Sequence, residues 1–483
     1  MRSISKALTL TAALFVMGCG SDDNDFIIGG PFPNPTATPV VTAPVAVADS
    51  FATLGNSVLT ASVTANDTLN SATVSAFQNP SNSGGTVAIT SAGQLTYTPP
   101  ANVANVNDTF TYTLTNSAGS STATVTVQIG ARGFFVKNDV AVSGTGSQGN
   151  PFKTLAEAVT AANGVNGAQI VLFRGDGTTT GLNTAVPLGT NQGIASLDPA
   201  NQATITGPVT LTSGNALSNL RIQGTTGNAI SGTNSVGSTL TGVTITNPTL
   251  SGCALVNATG TFSASNCTVQ NTGSHGFIAS ADNSSLVWSV TGSTFTNVGL
   301  VGCFCNITGT AAQNVTVNNC TSTSGVGDFL LVQANTVATN VGANFNNNQV
   351  TGNGLTARGF EAALNGTPSF LGLIAGNNVI GCLGEGMQVA VSDNATARMR
   401  FTNNRTTGNL ANRGLVVANT GGGAPSTGCI FNGNTSDAFN LFNAIGTFSV
   451  EQLAQFNAAS GNTGTLVTAG TITDAAGGSL GIP

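Results

Sequence analysis

The sequence is poor in charge. Only 6% of its 483 residues are charged, and it holds a single His, one Trp and two Tyr. With 12 Lys+Arg against 18 Asp+Glu, no basic stripe can neutralise a run of phosphates, so a nucleic-acid partner is excluded. One His and sparse carboxylates leave little material for His-rich metal centres. Beyond residues 7–17 no stretch is apolar enough over the length a membrane-spanning helix needs. The last residues lack the amphipathic strand ending in Phe that a single-chain outer-membrane barrel requires. What abounds is Gly, 62 residues, and 40% hydrophobic residues, which argues against disorder and allows a large core.

Arg2 and Lys6 precede the short apolar stretch 7–17, which ends in Val16, Met17, Gly18 and Cys19. This arrangement resembles the bacterial lipoprotein signal. The resemblance implies removal of residues 1–18, acylation of Cys19 and attachment to a membrane through the lipid. Gly20 after the cysteine implies sorting to the outer membrane, facing either the periplasm or the exterior. Loss of Arg2 and Lys6 moves the net charge from −6 to −8. Residues 19–44 carry Pro31, Pro33, Pro35, Pro39 and Pro44 and read as an extended linker.

From 45 to 130 the chain alternates by two at 58–60, 86–90, 94–98, 109–114 and 122–127, with Gly, Asn, Ser and Pro between. That pattern predicts a small antiparallel β-sandwich. The run GQLTYTPP followed by NDTFTYTLTNSAGSSTATVTV resembles the cadherin-like, immunoglobulin-like repeats of bacterial surface proteins. Some such repeats hold calcium with acidic residues. Asp49, Asp67 and Asp108 match those positions, the alternative being turn-forming Asp side chains that accept local backbone N–H bonds.

The remainder, 131–483, repeats itself. Glycines 252, 276, 302, 327, 359, 386 and 414 recur at steps of 24 to 32 residues, each before an apolar start. A second marker, Asn266, Ser293, Asn318, Asn348, Asn377, Asn404 and Asn434, drifts with the first. A period in the twenties without helical interludes predicts a solenoid of parallel strands. Thr154 and Glu157 form a capping box, so a helix is expected over 154–163. This opening resembles the start of secreted right-handed parallel β-helix proteins of the pectin-lyase-like superfamily, where a short helix covers the open end. Positions one and three after each glycine should face inward, as Cys253 and Leu255 or Met387 and Val389 do. At Asp328 an inserted residue would pass these roles to Phe329 and Leu331. The asparagines Asn266, Asn318, Asn348, Asn377, Asn404 and Asn434 should stack at a bend as a hydrogen-bonded ladder. Residues 449–460 read as a capping helix or an irregular last coil. The fold class is thus all-β: a small antiparallel sandwich followed by a right-handed parallel β-helix with an N-terminal capping helix.

Candidate chemistry is thin. Seven cysteines follow Cys19, and Cys253 with Cys303, like Cys267 with Cys320, lie two coils apart, about 9–10 Å and beyond disulfide reach. They read as buried thiols. His275-Gly276 is similar to an element of polygalacturonases, but the paired acidic and basic motifs of that family are missing, and glycosidic cleavage requires two carboxyl groups. The one charge cluster comprises Arg358, Glu361, Glu385, Asp393, Arg398, Arg400, Arg405 and Arg413, with Gln388 among them. Arg358, Glu385 and Arg413 should stack as plus, minus, plus. Glu361, Gln388, Arg398 and Arg400 should point outward, and Arg358, Glu361, Glu385, Gln388, Arg398, Arg400, Arg405 and Arg413 together are the expected grip for an acidic glycan. Phe345 with Asn348, Phe401 with Asn404 and Phe431 with Asn434 look like repeats of polymorphic bacterial surface adhesins. The expected function is a lipid-anchored β-helix for adhesion, surface structure or binding of polysaccharide or surface protein. The alternative is a polysaccharide lyase or hydrolase acting on an acidic glycan. No cofactor is expected, calcium at the sandwich aside.

Overall fold

The computed structural model describes residues 41–483 except 283–284, 324, 337–339, 410–412, 452, 454–455, 457–461, 476–479, 481 and 483. The expected signal sequence, Cys19 and nearly all of the linker lie outside the described residues. Residues 43–483 form one compact unit.

Alternation of Thr with apolar residues builds the sandwich. Leu59–Ser62, Gln94–Thr98 and Thr86–Ile89 form one antiparallel sheet. Thr73–Phe77, Val106–Asn116 and Gly119–Val136 form the other, with Asp49–Gly55 added parallel to the last strand. Leu95, Tyr97 and Val87 meet Phe110, Tyr112, Leu114, Val125 and Val127, all buried, while the Thr residues face outward. Two strands are not legible in the sequence: Asp49–Gly55, with Gly55 at a register shift, and Thr73–Phe77, which shifts register after Val74. Such bulges break the period-two pattern.

Gly119–Val136 does not stop where the sandwich stops. Its last residues, Gly133 to Val136, pair in parallel with the first solenoid strand, Gln169–Leu172. The boundary expected between 130 and 131 therefore falls inside one strand. Gln148, from the solenoid side, clasps the joint: its Oε1 accepts from Ser57 Oγ and Val58 N, each at 2.8 Å, and its N–H donates to Asn56 O.

The helix Leu155–Ala162 follows, with the expected reciprocal capping by Thr154 and Glu157, and buries Leu155, Ala158 and Ala162 against the coil. Then come about 11 turns of a β-solenoid. Each mature turn has three parallel strands. Cys253–Val256, Phe277–Ala281, Cys303–Ile307, Leu330–Thr336, Phe360–Gly366, Met387–Val391 and Leu415–Asn419 stack into the first face. Thr259–Ser265, Leu286–Thr291, Gln313–Asn318, Asn340–Asn346, Ser369–Ala375, Thr396–Thr402 and Ser426–Asn432 make the second. Three- to five-residue strands, such as Thr321–Thr323, Asn378–Ile380 and Arg405–Thr407, make the third.

The inward columns run Cys253, Phe277, Cys303, Leu330, Phe360, Met387, Leu415 and Leu255, Ala279, Cys305, Val332, Ala362, Val389, Val417. At Asp328 the structure corrects the expected insertion. Leu330 and Val332, not Phe329 and Leu331, hold the two inward slots, and Leu331 faces outward. Phe329 occupies the slot that is glycine in the neighbouring turns, between Gly302 and Gly359. Its ring lies where a Cβ on Gly302 would be, 2.7 Å away, and joins Phe295 and Phe345 in a line of aromatic rings through the core. At the far end, Thr447–Glu451 is a strand, and Thr463–Gly470 and Thr473–Ala475 complete an irregular last turn.

The asparagine ladder is real but shorter at the start and longer at the end than expected. Asn348, Asn377, Asn404, Asn434 and Asn462 are buried and stacked. Each Nδ2 of the first four donates to the Oδ1 of the next at 2.8 to 3.0 Å. Asn266 and Asn318 are not on it. Asn266, at φ 52°, belongs to a column of left-handed residues, Asn319, Asn347, Gly376, Asn403 and Gly433, where only Asn or Gly is inexpensive. Asn318 ends a second-face strand and accepts from Asn346 N. The ladder slot in those turns is filled by Cys267 and Cys320, whose thiols reach Leu240 O and Val290 O, in the carbonyl column that the asparagine amides use later.

Candidate functional site

The eight polar residues expected to form one glycan grip fall on three faces. Arg358, Glu361, Glu385, Gln388 and Arg413 sit on the first face, Arg398 and Arg400 on the second, Arg405 on the third.

On the first face the positions before the glycine column stack Asp328, Arg358, Glu385 and Arg413 in alternating sign. Arg358 Nε lies 3.0 Å from Glu385 Oε2, and its NH1 lies 3.0 Å from Glu361 Oε2 and 3.6 Å from Asp328 Oδ1. Arg413 reaches Glu385 Oε1 at 3.5 Å. Asp328, only 6% exposed, was not singled out by the sequence as a charged member of this group. Its place directly before an inward aromatic, like Arg358 before Gly359, was the available signal. Burial first, and then the neighbouring Glu361 carboxyl, push the Asp328 carboxyl up to about 8, against the opposing pull of Arg358. Glu385 goes the other way: burial opposes its charge, but a backbone hydrogen bond and the two arginines hold it below the usual carboxylate range. The knot is compensated charge by charge. Gln388 stands beside Glu361 in register, its Oε1 buried without a hydrogen-bond partner among the described residues.

The second face differs. Asn314, Gly342, Leu371 and Arg398 succeed one another along one outward column. Gly342 contributes no side chain, and a groove of about 570 Å³ opens there, bordered by Asn314, Asn340, Ser369, Leu371, Thr396 and Arg398. Arg398 is exposed and has no partner among the described residues. Arg400, two residues on, is not available in the same way. The carbonyl of Ile482 accepts from its NH2 at 2.8 Å, while Leu480 lies over Gly428, the register partner of Arg398 in the next turn. The C-terminal segment thus covers part of the surface that the sequence assigned to ligand. On the third face Arg405 continues a ladder of exposed polar side chains, NH1 to Asn378 Oδ1 at 3.2 Å and Asn378 Nδ2 to Gln349 Oε1 at 3.0 Å.

In the sandwich, the carboxylates of Asp108 and Asp67 are occupied. Asp108 is buried and accepts from Ser81 Oγ, from Tyr97 Oη at 2.6 Å and from the N–H groups of Ser83 and Thr109. Asp67 accepts from Tyr112 Oη and Val47 N. Asp49, close to Asp67 and Tyr112, has a buried Oδ2 without a hydrogen-bond partner among the described residues and is pushed up to about 6, mainly by burial. No three His, Cys, Asp or Glu side chains gather as a metal site among the described residues. His275 is half-buried, accepts Val301 N–H through Nδ1 at 3.2 Å and leans on Phe304. The cysteines from Cys253 to Cys429 are all buried and unbridged.

Residues 42–131 match the family described as the bacterial cadherin-like domain. Among solved structures, the chain is similar to the catalytic unit of a thermostable GH87 α-1,3-glucanase from Streptomyces thermodiastaticus. The two are 12% identical over 80% of this chain and 75% of that one, with a TM-score of 0.36. No curated protein matches the chain.

Proposed function

We propose that the protein is a lipid-anchored bacterial surface protein whose solenoid binds acidic polysaccharide along its second face. The observation that carries the reading is Arg398, an exposed and unpaired guanidinium at the edge of a groove bordered by amides and hydroxyls. Guanidinium forks match carboxylate and sulfate oxygens, and amides and hydroxyls match sugar hydroxyl groups. The cadherin-like segment supports a stalk role beneath this surface. The Cys19 signal supports the anchor and an outer-membrane address, tested by mass spectrometry of the mature N-terminus against Cys19→Ser. For the groove, mobility of the protein is compared in gels containing polygalacturonate or neutral dextran. Arg398→Ala should relieve retardation by polygalacturonate, whereas Arg400→Ala should leave it largely intact. Equal retardation of wild type and Arg398→Ala removes this site from consideration.

A second reading, hydrolysis or elimination at a glycan, is favoured by one observation: the Asp328 and Glu361 carboxyl groups meet at NH1 of Arg358, at 3.6 and 3.0 Å, with burial raising the former, and glycoside chemistry uses two carboxyl groups in unlike environments. It requires Asp328-dependent release of reducing ends or of unsaturated products from the polysaccharide that binds. Turnover unchanged in Asp328→Asn, or no turnover at all, rejects it.

A further inference from the structure

Eight arginines follow the expected signal sequence, and their partners divide them. Arg358 and Arg413 are paired with carboxylates, Arg400 with a carbonyl, Arg174 and Arg405 with amide oxygens, and Arg132 lies over the Phe134 ring. Arg221 and Arg398 alone have no partner among the described residues, and both border grooves. The Arg398 groove belongs to the site above. The Arg221 groove lies at the other end of the solenoid.

Its floor is the third face of the early turns. Thr204, Arg221 and Thr244 are stacked in register across three parallel strands, with Gln223 two residues beyond Arg221 on the same face. Two loops wall it. One carries Arg174. The other is shaped by Asp198, whose Oδ1 accepts from Ala200 N and whose Oδ2 accepts from Asn201 Nδ2. Asn201 Oδ1 in turn accepts from Arg174 NH1 at 3.2 Å, which swings the second guanidinium toward the first. The space enclosed is about 530 Å³, within the range of small-ligand clefts.

The lining residues include two guanidinium groups and no carboxylate. Asp176, in the Arg174 loop, is turned to other work: its Oδ1 accepts from Asn138 Nδ2, Thr178 N and Thr178 Oγ1. Asp176 and Asp198 keep their charge within the walls, bonded to neutral partners, so the guanidinium groups are the charges that line the groove itself, and a cleft lined by one sign of charge favours the opposite ion. Amide and hydroxyl groups beside the arginines suit a hydroxyl-bearing ligand, and no aromatic platform is present among the lining residues for a stacked base.

We infer that this groove is a second anion-binding site, independent of Arg398, which takes the carboxylate or sulfate group of an acidic sugar unit. The test uses the purified full chain in gels containing polygalacturonate, dextran sulfate or neutral dextran, the first two separating the carboxylate from the sulfate source. Two variants are compared with wild type: Arg174→Gln/Arg221→Gln, which removes the charge, and Gln223→Glu, which adds an opposing one. Matching thermal midpoints establish that each is folded. The expected result is at least a tenfold weaker apparent affinity of both variants for one of the two anionic polymers, with dextran unaffected, and that loss persisting in an Arg398→Ala background. Retardation equal to wild type in both variants overturns the inference, as does a wild type that neither anionic polymer retards. Loss of all retardation by Arg398→Ala alone overturns this site while leaving the second-face reading intact, and the converse pattern does the reverse.

Discussion

The amide of Asn377 donates at once to Asn404 Oδ1 at 2.8 Å and to Phe345 O at 2.6 Å, and its own Oδ1 accepts from both N and Nδ2 of Asn348. One side chain therefore satisfies groups in the turn before and the turn after. Buried polar groups left without partners cost about 1–3 kcal/mol. Asn377→Ala should lower stability by an amount of that order. Asn314→Ala, which removes an exposed side chain bordering the second-face groove, should change it by less than about 0.5 kcal/mol. Denaturant midpoints of the two variants settle the matter, and equal midpoints would falsify the load assigned to the ladder.

Asp328 should make stability fall as pH rises. Its carboxyl is held at about 8 when folded, against an ordinary value of 3.8, so between those values the folded state keeps a proton that the unfolded state has lost. The stabilising effect is present at the low end of that window and disappears as pH climbs through about 8. Asp328→Asn keeps a neutral donor beside Glu361 and should flatten the profile. The difference between wild type and variant, measured at pH 5 and pH 8.5, isolates this group from Asp49, which is pushed up to about 6 and acts with the same sign.

Burial pushes the thiols of Cys267 and Cys320 up to about 11 and those of Cys305 and Cys382 up to about 12. Thiolate is the reactive form. None of the seven cysteines from Cys253 to Cys429 should react with a disulfide reagent in the native protein at pH 8, and all seven should react in guanidinium. Prompt native labelling of even one would contradict the packed core.

Arg400→Ala should loosen the C-terminal segment, because Ile482 O loses its charged donor while Leu480 N keeps only Glu451 Oε1. Faster clipping near residue 480 by a non-specific protease, with the solenoid otherwise intact, is the expected readout. An unchanged cleavage pattern would mean that apolar contacts of Leu480 and Ile482 hold the segment unaided.

The periodic part of the fold was legible because each inward slot repeats a requirement. Cys253, Phe277 and Cys303 differ in chemistry but share burial, so glycine spacing alone placed them. Spacing misleads where a marker residue is replaced or duplicated. Phe329 fills a glycine slot, and Gly327, two residues before it, drew the expected inward pair one residue off. The run Asn346-Asn347-Asn348 supplies three asparagines to three different columns, so spacing could not show that Asn266 and Asn318 belong to columns other than the ladder. The Phe-x-x-Asn elements also have a local cause. Phe345, Phe401 and Phe431 point inward and lend their carbonyls to the ladder amides of the following turn, Asn377, Asn434 and Asn462. The candidate site was legible as residue types but not as a place. Periodicity carries no information about where a non-repeating tail such as 480–482 lies, and so could not reveal that Arg400 is bonded to it while Arg398 stays exposed beside the glycine that Leu480 covers.

The unbroken strand Gly119–Val136 makes the joint between sandwich and solenoid a mechanical element. Asp49–Gly55 runs parallel to it, so a pull between Ala43 and the solenoid draws the two strands past each other lengthwise. Their hydrogen bonds are then loaded together in shear, not opened one by one as in a zipper. Tension arriving at the solenoid from a bound surface would pass into the sandwich as a stiff lever passes it, with no swivel between them to absorb the load.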